Sequence, residues 1–346
     1  MSNEVLAHAD VRRDDVTAAA VWLRDRVVDT PLVRSATLDR IAGARLWLKA
    51  ENLQIGGSYK FRGALRAVSQ IAQRGEHRGV IAQSTGNHAL AVAMAAEWYG
   101  LTATAVLPID APAAKVASIK DSGARVELAG TTVWRRLEVV DRLQAASGDA
   151  VLDAYDHPSV IAGQGSATWD LVEAVDRRGT SLDAVVVPVG GGGGVAGACL
   201  ALEGRETAVY GVEPVGCDSL ARSLDAGRRI AVPPAPTLAD GLRPSLVGRL
   251  PFEILRTRVA GVVPVDDDDI GLAVCLALFH TKLLLEPSGA AGLAGALRLA
   301  ASGSYTDIGV VLTGGNAEAG LIARLVAEYG ATRAGSGGGG EKGRRA

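Results

Sequence analysis

From about residue 45 onward, short β-branched or aliphatic runs alternate with longer segments of helical period. That alternation predicts an α/β protein with mainly parallel strands. Strands are expected at Arg45 to Lys49, Gly79 to Ala82, Ala103 to Leu107, Arg125 to Leu128, Ala184 to Pro188, Ala208 to Val212, Gly261 to Val265 and Ile308 to Leu312, each followed by a Gly, Pro or polar turn. Helices are expected in the gaps. The four consecutive acids Asp266 to Asp269 fall where a helix begins after Val265; capping and the helix dipole account for them better than a metal does. No internal repeat and no clear linker is visible, so a second unit is expected as an insertion in the first. The expected division is a large unit of residues 1–79 and 156–330, a small inserted unit of 80–155, and a disordered glycine-rich tail over 331–346.

Composition narrows the function classes. The chain has 346 residues, 48% of them hydrophobic, enough apolar material for one large or two moderate globular units. Its 36 lysines and arginines are scattered among 38 acids, for a net charge of -2. That balance gives no electrostatic footprint for nucleic acid or an anionic membrane. No apolar run approaches the roughly 18 to 20 residues needed to span a bilayer. Cys199, Cys217 and Cys275 are widely spaced and odd in number, which fits reduced thiols better than a disulfide framework. Met1 to Asp15 carries four acids and two arginines without an apolar stretch, unlike a secretory or transit segment. A cytoplasmic protein without nucleic-acid or membrane partners is expected.

Four segments carry candidate chemistry. Gly56-Gly57-Ser58-Tyr59-Lys60-Phe61-Arg62-Gly63-Ala64 puts an amine between two aromatics at the start of a helical run, a setting that suits a shielded, lowered-pKa nucleophile and equally a lysine snorkelling beside core aromatics. Ser84-Thr85-Gly86-Asn87-His88-Ala89 is a loop opening a helix, where N–H groups and short polar side chains can hold a carboxylate or simply cap the helix. Gly190 to Gly194 are five glycines between the strand Ala184 to Val187 and a small-residue helix. Such a run is entropically costly, and a phosphate held by bare N–H groups would give it a purpose. Gly192, Gly194 and Gly197 also satisfy a dinucleotide pattern, with Glu213 about twenty residues on as a ribose-binding acid, so a nicotinamide-dependent oxidoreductase is the competing class. Val311-Leu312-Thr313-Gly314-Gly315-Asn316 is a strand running into a turn, with a hydroxyl able to meet a ring nitrogen.

In this order and spacing the four segments resemble the fold-type II enzymes dependent on pyridoxal 5′-phosphate (PLP), and within them the serine/threonine dehydratase (ammonia-lyase) and serine racemase family. The match spans roughly residues 15 to 330. It is reinforced by Thr30-Pro31-Leu32, His157-Pro158, Ile161-Ala162-Gly163-Gln164-Gly165, Gly211-Val212-Glu213-Pro214, Ala239-Asp240-Gly241 and Glu286-Pro287-Ser288-Gly289-Ala290. The resemblance implies two open, twisted, mainly parallel sheets with flanking helices, the cofactor between two domains, and a homodimer. It implies a Schiff base on Lys60, a phosphate cradle of Gly190, Gly191, Gly192, Gly193 and Gly194, Asn87 at the cofactor's phenolic oxygen, Thr313 at its pyridine nitrogen, Tyr59 against the ring and Glu286 supporting the ring side. Ser84, Thr85, Asn87 and His88 would hold the carboxylate of a small amino-acid substrate, and Thr85 occupies the position of the racemases' second base. The implied reaction is α,β-elimination from a small L-hydroxyamino acid such as threonine or serine, with the freed Lys60 amine as general base, giving a 2-oxo acid and ammonia. Dehydration of 3-hydroxyaspartate or of a hydroxyectoine-derived amino acid, or racemisation, is the near alternative.

The chain departs from that pattern at three places. Tyr59 replaces the usual Phe and adds a hydroxyl; Thr85 replaces a serine and crowds the racemases' second face. Ser219 stands where metal-binding racemases have a carboxylate, so no metal site is expected. Arg243, in the Pro-rich stretch after Asp240-Gly241-Leu242, is a candidate for a second substrate carboxylate or a plain surface arginine.

Overall fold

The computed structural model describes residues 11–331 except Thr85, Pro112, Thr131 and Thr132. The expected tail, from residue 332 on, lies outside the described residues. Two sheets organise the chain. The larger has six strands: β1 (Leu32–Val33), β2 (Arg45–Lys49), β7 (Ala184–Pro188), β8 (Ala208–Pro214), β9 (Gly261–Val265) and β10 (Asp307–Val311), in the spatial order β1-β2-β10-β7-β8-β9. The smaller contains β3 (Gly79–Gln83), β4 (Thr102–Leu107), β5 (Arg125–Leu128) and β6 (Ala150–Val151), in the order β5-β4-β3-β6. Every pairing is parallel except β1 with β2.

The large sheet's central strands β7 and β10 are buried at every residue, which is why they read as unbroken apolar runs: helices cover both faces. One core cluster joins Leu171, Val185, Val187, Val195 and Leu255 on one side. Another joins Leu46, Leu48, Val186, Ile270, Leu293 and Val310 on the other. A third packs the helices Lys60–Arg74 and Asn87–Trp98 on β3 and β4 through Phe61, Leu65, Val80, Val92 and Ala105. All eight expected strands occur, shifted at their ends by no more than two residues. The structure adds β1 and β6, each two residues long, too short to show a period. Asp266 caps the helix Asp267–Thr281 in a reciprocal box with Asp269, and Arg298 pairs with both, so the acidic run is structural.

Helix Pro158–Asp176 makes two glycine crossings that set the site's dimensions. A Cβ on Gly163 would lie 2.6 Å from the carbonyl oxygen of Arg62 and 2.7 Å from Cα of Gly63, in the lysine-bearing helix. Two residues on, a Cβ on Gly165 would lie 2.7 Å from the carbonyl oxygen of Gly197, in the helix Gly193–Ala201 that follows the five-glycine run. Backbone therefore packs on backbone at both crossings, and one helix fixes the spacing between Lys60 and the glycines.

Behind Lys60 lies a buried ionic network. Arg62, 1% exposed, donates to both carboxylate oxygens of Glu51 at 2.8 Å and pairs with Asp170 at 2.8 Å. Glu51 also accepts the Thr30 hydroxyl at 2.5 Å, and the buried Lys49 amine donates to the Thr30 carbonyl at 2.7 Å. Burial alone would neutralise the Glu51 carboxyl; the Arg62 charge beside it holds its pKa below the usual carboxylate range. The network ties the first turn of helix Lys60–Arg74 to the end of β2.

Candidate active site

The candidate residues lie at the carboxyl ends of β2, β3, β7 and β10, where open parallel sheets bind ligands. After β10 the chain reaches Thr313, whose carbonyl accepts the Tyr59 N–H at 3.0 Å, while Ser58 bridges Gly314. These backbone links hold Lys60 beside the end of β10. Its amine lies 3.5 Å from the Ala154 carbonyl, the outer limit of a hydrogen bond, and 5.2 Å from the Tyr59 ring centroid. Burial lowers its pKa to about 8, with Asp153 and Glu286 acting in the opposite direction. The residue as a whole is half-buried, the setting of a shielded, partly neutral nucleophile.

The glycine run follows β7. Gly192 is in the left-handed region at φ 91° and caps the helix Gly193–Ala201; the others are glycines because neighbours press on the backbone. A Cβ on Gly191 would fall 2.1 Å from the Tyr155 ring, on Gly193 3.0 Å from Cα of Tyr155, on Gly194 2.6 Å from the Tyr59 hydroxyl and on Gly190 3.0 Å from the Gly241 carbonyl oxygen. The opening N–H groups of that helix have no partner within it, and its dipole favours an anion there.

Asn87 opens the helix Asn87–Trp98 of the small sheet and crosses to the large one. Its amide donates to Glu286 at 2.5 Å and accepts from Asn316 at 2.8 Å, and Asn316 also donates to the Gly56 carbonyl at 2.8 Å. Glu286 caps the helix Pro287–Ala300, and its own N–H donates to the Gly314 carbonyl at 3.2 Å. Thr313 is buried close by, 7% exposed. Ser84 is half-buried and accepts the Gly86 N–H at 3.4 Å. His88 is buried with Nε2 against the Leu152 carbonyl at 3.2 Å; burial first, and then the Lys60 charge, depress its pKa to about 3. Its ring is thus a neutral packing element, leaving its backbone N–H, at the helix start, to face a carboxylate. Thr85 lies outside the described residues.

One sequence alternative loses its support. Glu213 accepts the N–H groups of Leu220 and Ala221 at 2.8 and 2.9 Å, so its carboxylate is spent on the start of helix Ser219–Ala226 rather than offered to a ribose. Arg243 is exposed. Sequence reading missed Asn316, Asp153 and Tyr155. Asn316 sat in a segment valued for Thr313; the Asp153-Ala154-Tyr155-Asp156 turn, just before His157-Pro158, carried only the signal of an Asx turn.

A buried amine of lowered pKa, a glycine-built helix N-terminus, and amide, carboxyl and hydroxyl groups between them fit an aldehyde cofactor that bears a phosphate and a heteroaromatic ring. Similar proteins point the same way. The family model described as pyridoxal-phosphate dependent enzyme matches residues 23–314. L-threonine ammonia-lyase of Thermotoga maritima is 35% identical over 316 residues, covering 90% of this chain and 77% of the relative. L-threo-3-hydroxyaspartate ammonia-lyase of Saccharomyces cerevisiae is 35% identical over 314 residues, covering 90% and 95%. The crystal structure of T.th. threonine deaminase superposes with a TM-score of 0.83 at 40% identity, covering 88% of this chain and 98% of that one.

Proposed function

Because the chain belongs to the pyridoxal-phosphate-dependent enzymes, within the serine/threonine dehydratase branch, we propose that it catalyses α,β-elimination of water from a small L-hydroxyamino acid such as serine or threonine, the released enamine taking up water to give a 2-oxo acid and ammonia. The observation that carries the reading is the pairing of a desolvated Lys60 amine with the glycine-built helix N-terminus across a spacing set by helix Pro158–Asp176.

When bound, PLP supplies an electron sink for the pair left at the substrate α-carbon. Lys60 would hold the cofactor covalently and, as a free amine of lowered pKa, would serve as the base for the substrate α-proton. The N–H groups of Gly190 to Gly194 would receive the phosphate dianion. Asn87, held between Glu286 and Asn316, presents its amide to the phenolic oxygen, and Thr313 offers a neutral hydroxyl to the ring nitrogen. A neutral partner would leave that nitrogen unprotonated, which would weaken the sink and favour elimination over transamination. Ser84, Thr85 and the helix start at Asn87 and His88 bind the substrate carboxylate. The Tyr59 ring would pack on the cofactor, while its hydroxyl rests on Gly194.

The two separate sheets support a large unit of 1–79 and 156–330 with 80–155 inserted; a cytoplasmic homodimer remains part of the proposal. Among the described residues no helix is long and apolar enough to cross a membrane. The test is ammonia and 2-oxo acid release from serine, threonine and the 3-hydroxyaspartate isomers, alongside borohydride trapping of the cofactor. Turnover with the adduct on Lys60 is expected; retained turnover in Lys60→Ala would refute the assignment.

A further inference from the structure

The relatives divide between those named for neutral hydroxyamino acids and those named for hydroxyaspartate at equal identity, so the side-chain charge of the substrate has to come from the site. The turn Asp153-Ala154-Tyr155-Asp156 borders Lys60 and the glycines together. Its Ala154 carbonyl faces the Lys60 amine and accepts the Gln164 amide at 3.1 Å. The Tyr155 ring covers Gly191, and Asp156 accepts the N–H groups of Arg249 and Leu250, both at 2.8 Å, at the start of helix Arg249–Arg258. The turn is thus anchored on three sides.

Asp153 opens that turn. Its Oδ1 accepts the N–H groups of Tyr155 at 2.8 Å and Asp156 at 2.7 Å, so the carboxylate cannot swing away without giving up two charge-assisted bonds. Its other oxygen has no hydrogen bond among the described residues, and the residue is open to solvent. The charges acting on the Lys60 amine are those of Asp153 and Glu286, both acids. Glu286 is occupied by Asn87. Of the nearby cations, Arg229 acts on Tyr155 and Arg243 on Cys217.

We infer that Asp153 selects the charge of the substrate side chain: its fixed, unpartnered carboxylate oxygen beside Lys60 admits a neutral β-hydroxyamino acid and rejects one carrying a β-carboxylate. This deepens the lyase reading and rests on it. The physical ground is like-charge juxtaposition: the charges acting on Asp153 are those of Asp156 and Lys60, with neither Arg229 nor Arg243 among them.

Asp153→Asn tests the inference, because the amide oxygen can still accept both turn N–H groups while the charge is lost; unchanged circular dichroism and melting temperature check that the turn survives. In the wild-type holoenzyme at pH 8, kcat/KM for L-serine or L-threonine should exceed that for L-threo-3-hydroxyaspartate by about 100-fold or more, and Asp153→Asn should narrow the ratio by about tenfold or more through gain on the dicarboxylate. Lys60 serves every substrate, so the ratio isolates Asp153. The same comparison made by binding alone, with L-alanine against L-aspartate followed through the cofactor's absorbance, should show the same preference and the same narrowing. Equal use of both substrates by the wild type, or an unchanged ratio in the variant, would overturn the inference. Should no hydroxyamino acid be turned over, the lyase reading falls while the alanine and aspartate affinities still decide the role of Asp153.

Discussion

The lowered pKa of Lys60 makes a quantitative claim about cofactor capture. An amine titrating at about 8 is about one-tenth neutral at pH 7, whereas an ordinary lysine near 10.5 is about 0.03% neutral, so burial raises the reactive fraction by about 300-fold. Capture of PLP by the apoprotein, followed by stopped-flow absorbance between about pH 6 and pH 11, should rise with pH and level off near 8. Asp153 and Glu286 both favour the ammonium form, so Asp153→Asn should move the midpoint lower. The same shift bears on stability. Between pH 8 and 10.5 the unfolded chain holds a proton on this lysine that the folded apoprotein has released, so folding stability should increase with pH across that window. A capture rate that climbs tenfold per pH unit through pH 10 would refute the desolvated-amine argument, as would a midpoint that rises when Asp153 is neutralised.

Other outcomes follow from the same geometry. His88 is neutral in the fold down to about pH 3 against an ordinary value of 6.5. The apoprotein should therefore lose stability as pH falls below 6.5, by up to roughly 1.4 kcal/mol per pH unit from this group, and His88→Gln should flatten that slope in urea titrations at several pH values. Glu51→Gln leaves the buried Arg62 with half its charge partners and should cost about 3 kcal/mol or more by denaturant unfolding. Gly197→Ala puts a methyl 2.5 Å from the Ile161 carbonyl oxygen; a loss of about 1–3 kcal/mol and weaker cofactor retention on dialysis are expected as the glycine-bearing helix is pushed off its neighbour. Gly194→Ala collides with the Tyr59 hydroxyl at 2.6 Å, and its cofactor affinity should recover in part in the double variant with Tyr59→Phe.

Much of this site was legible because its parts depend on chain-local chemistry. Strands such as β7 and β10 are buried throughout, and a run like Ala184 to Pro188 has few other structures open to it. Five successive glycines announce close approach, although the structure shows that the pressure at Gly191 comes from Tyr155 rather than from backbone torsion. What stayed hidden depends on tertiary placement. Glu213 sits at a spacing that suits a ribose ligand, and only the position of helix Ser219–Ala226 shows its carboxylate to be committed elsewhere. Asp153 looks like any turn-forming acid until the fold brings it beside Lys60. Asn316 matters through Asn87, which lies 229 residues away in sequence.

The crossing of Gly63 with Gly163 has a mechanical consequence. The chain enters the small sheet from helix Lys60–Arg74 and leaves it, through the turn at Asp153, into helix Pro158–Asp176. Those two helices are the pair that meet backbone to backbone at the glycines. Both tethers of the small sheet thus spring from one rigid post, and the same post carries the nucleophile. The small sheet is further bound to that post by the core through Phe61, Leu65, Val80 and Val92, so the latch from Asn87 to Glu286 and Asn316 closes on a unit that is already rigidly seated beside the nucleophile.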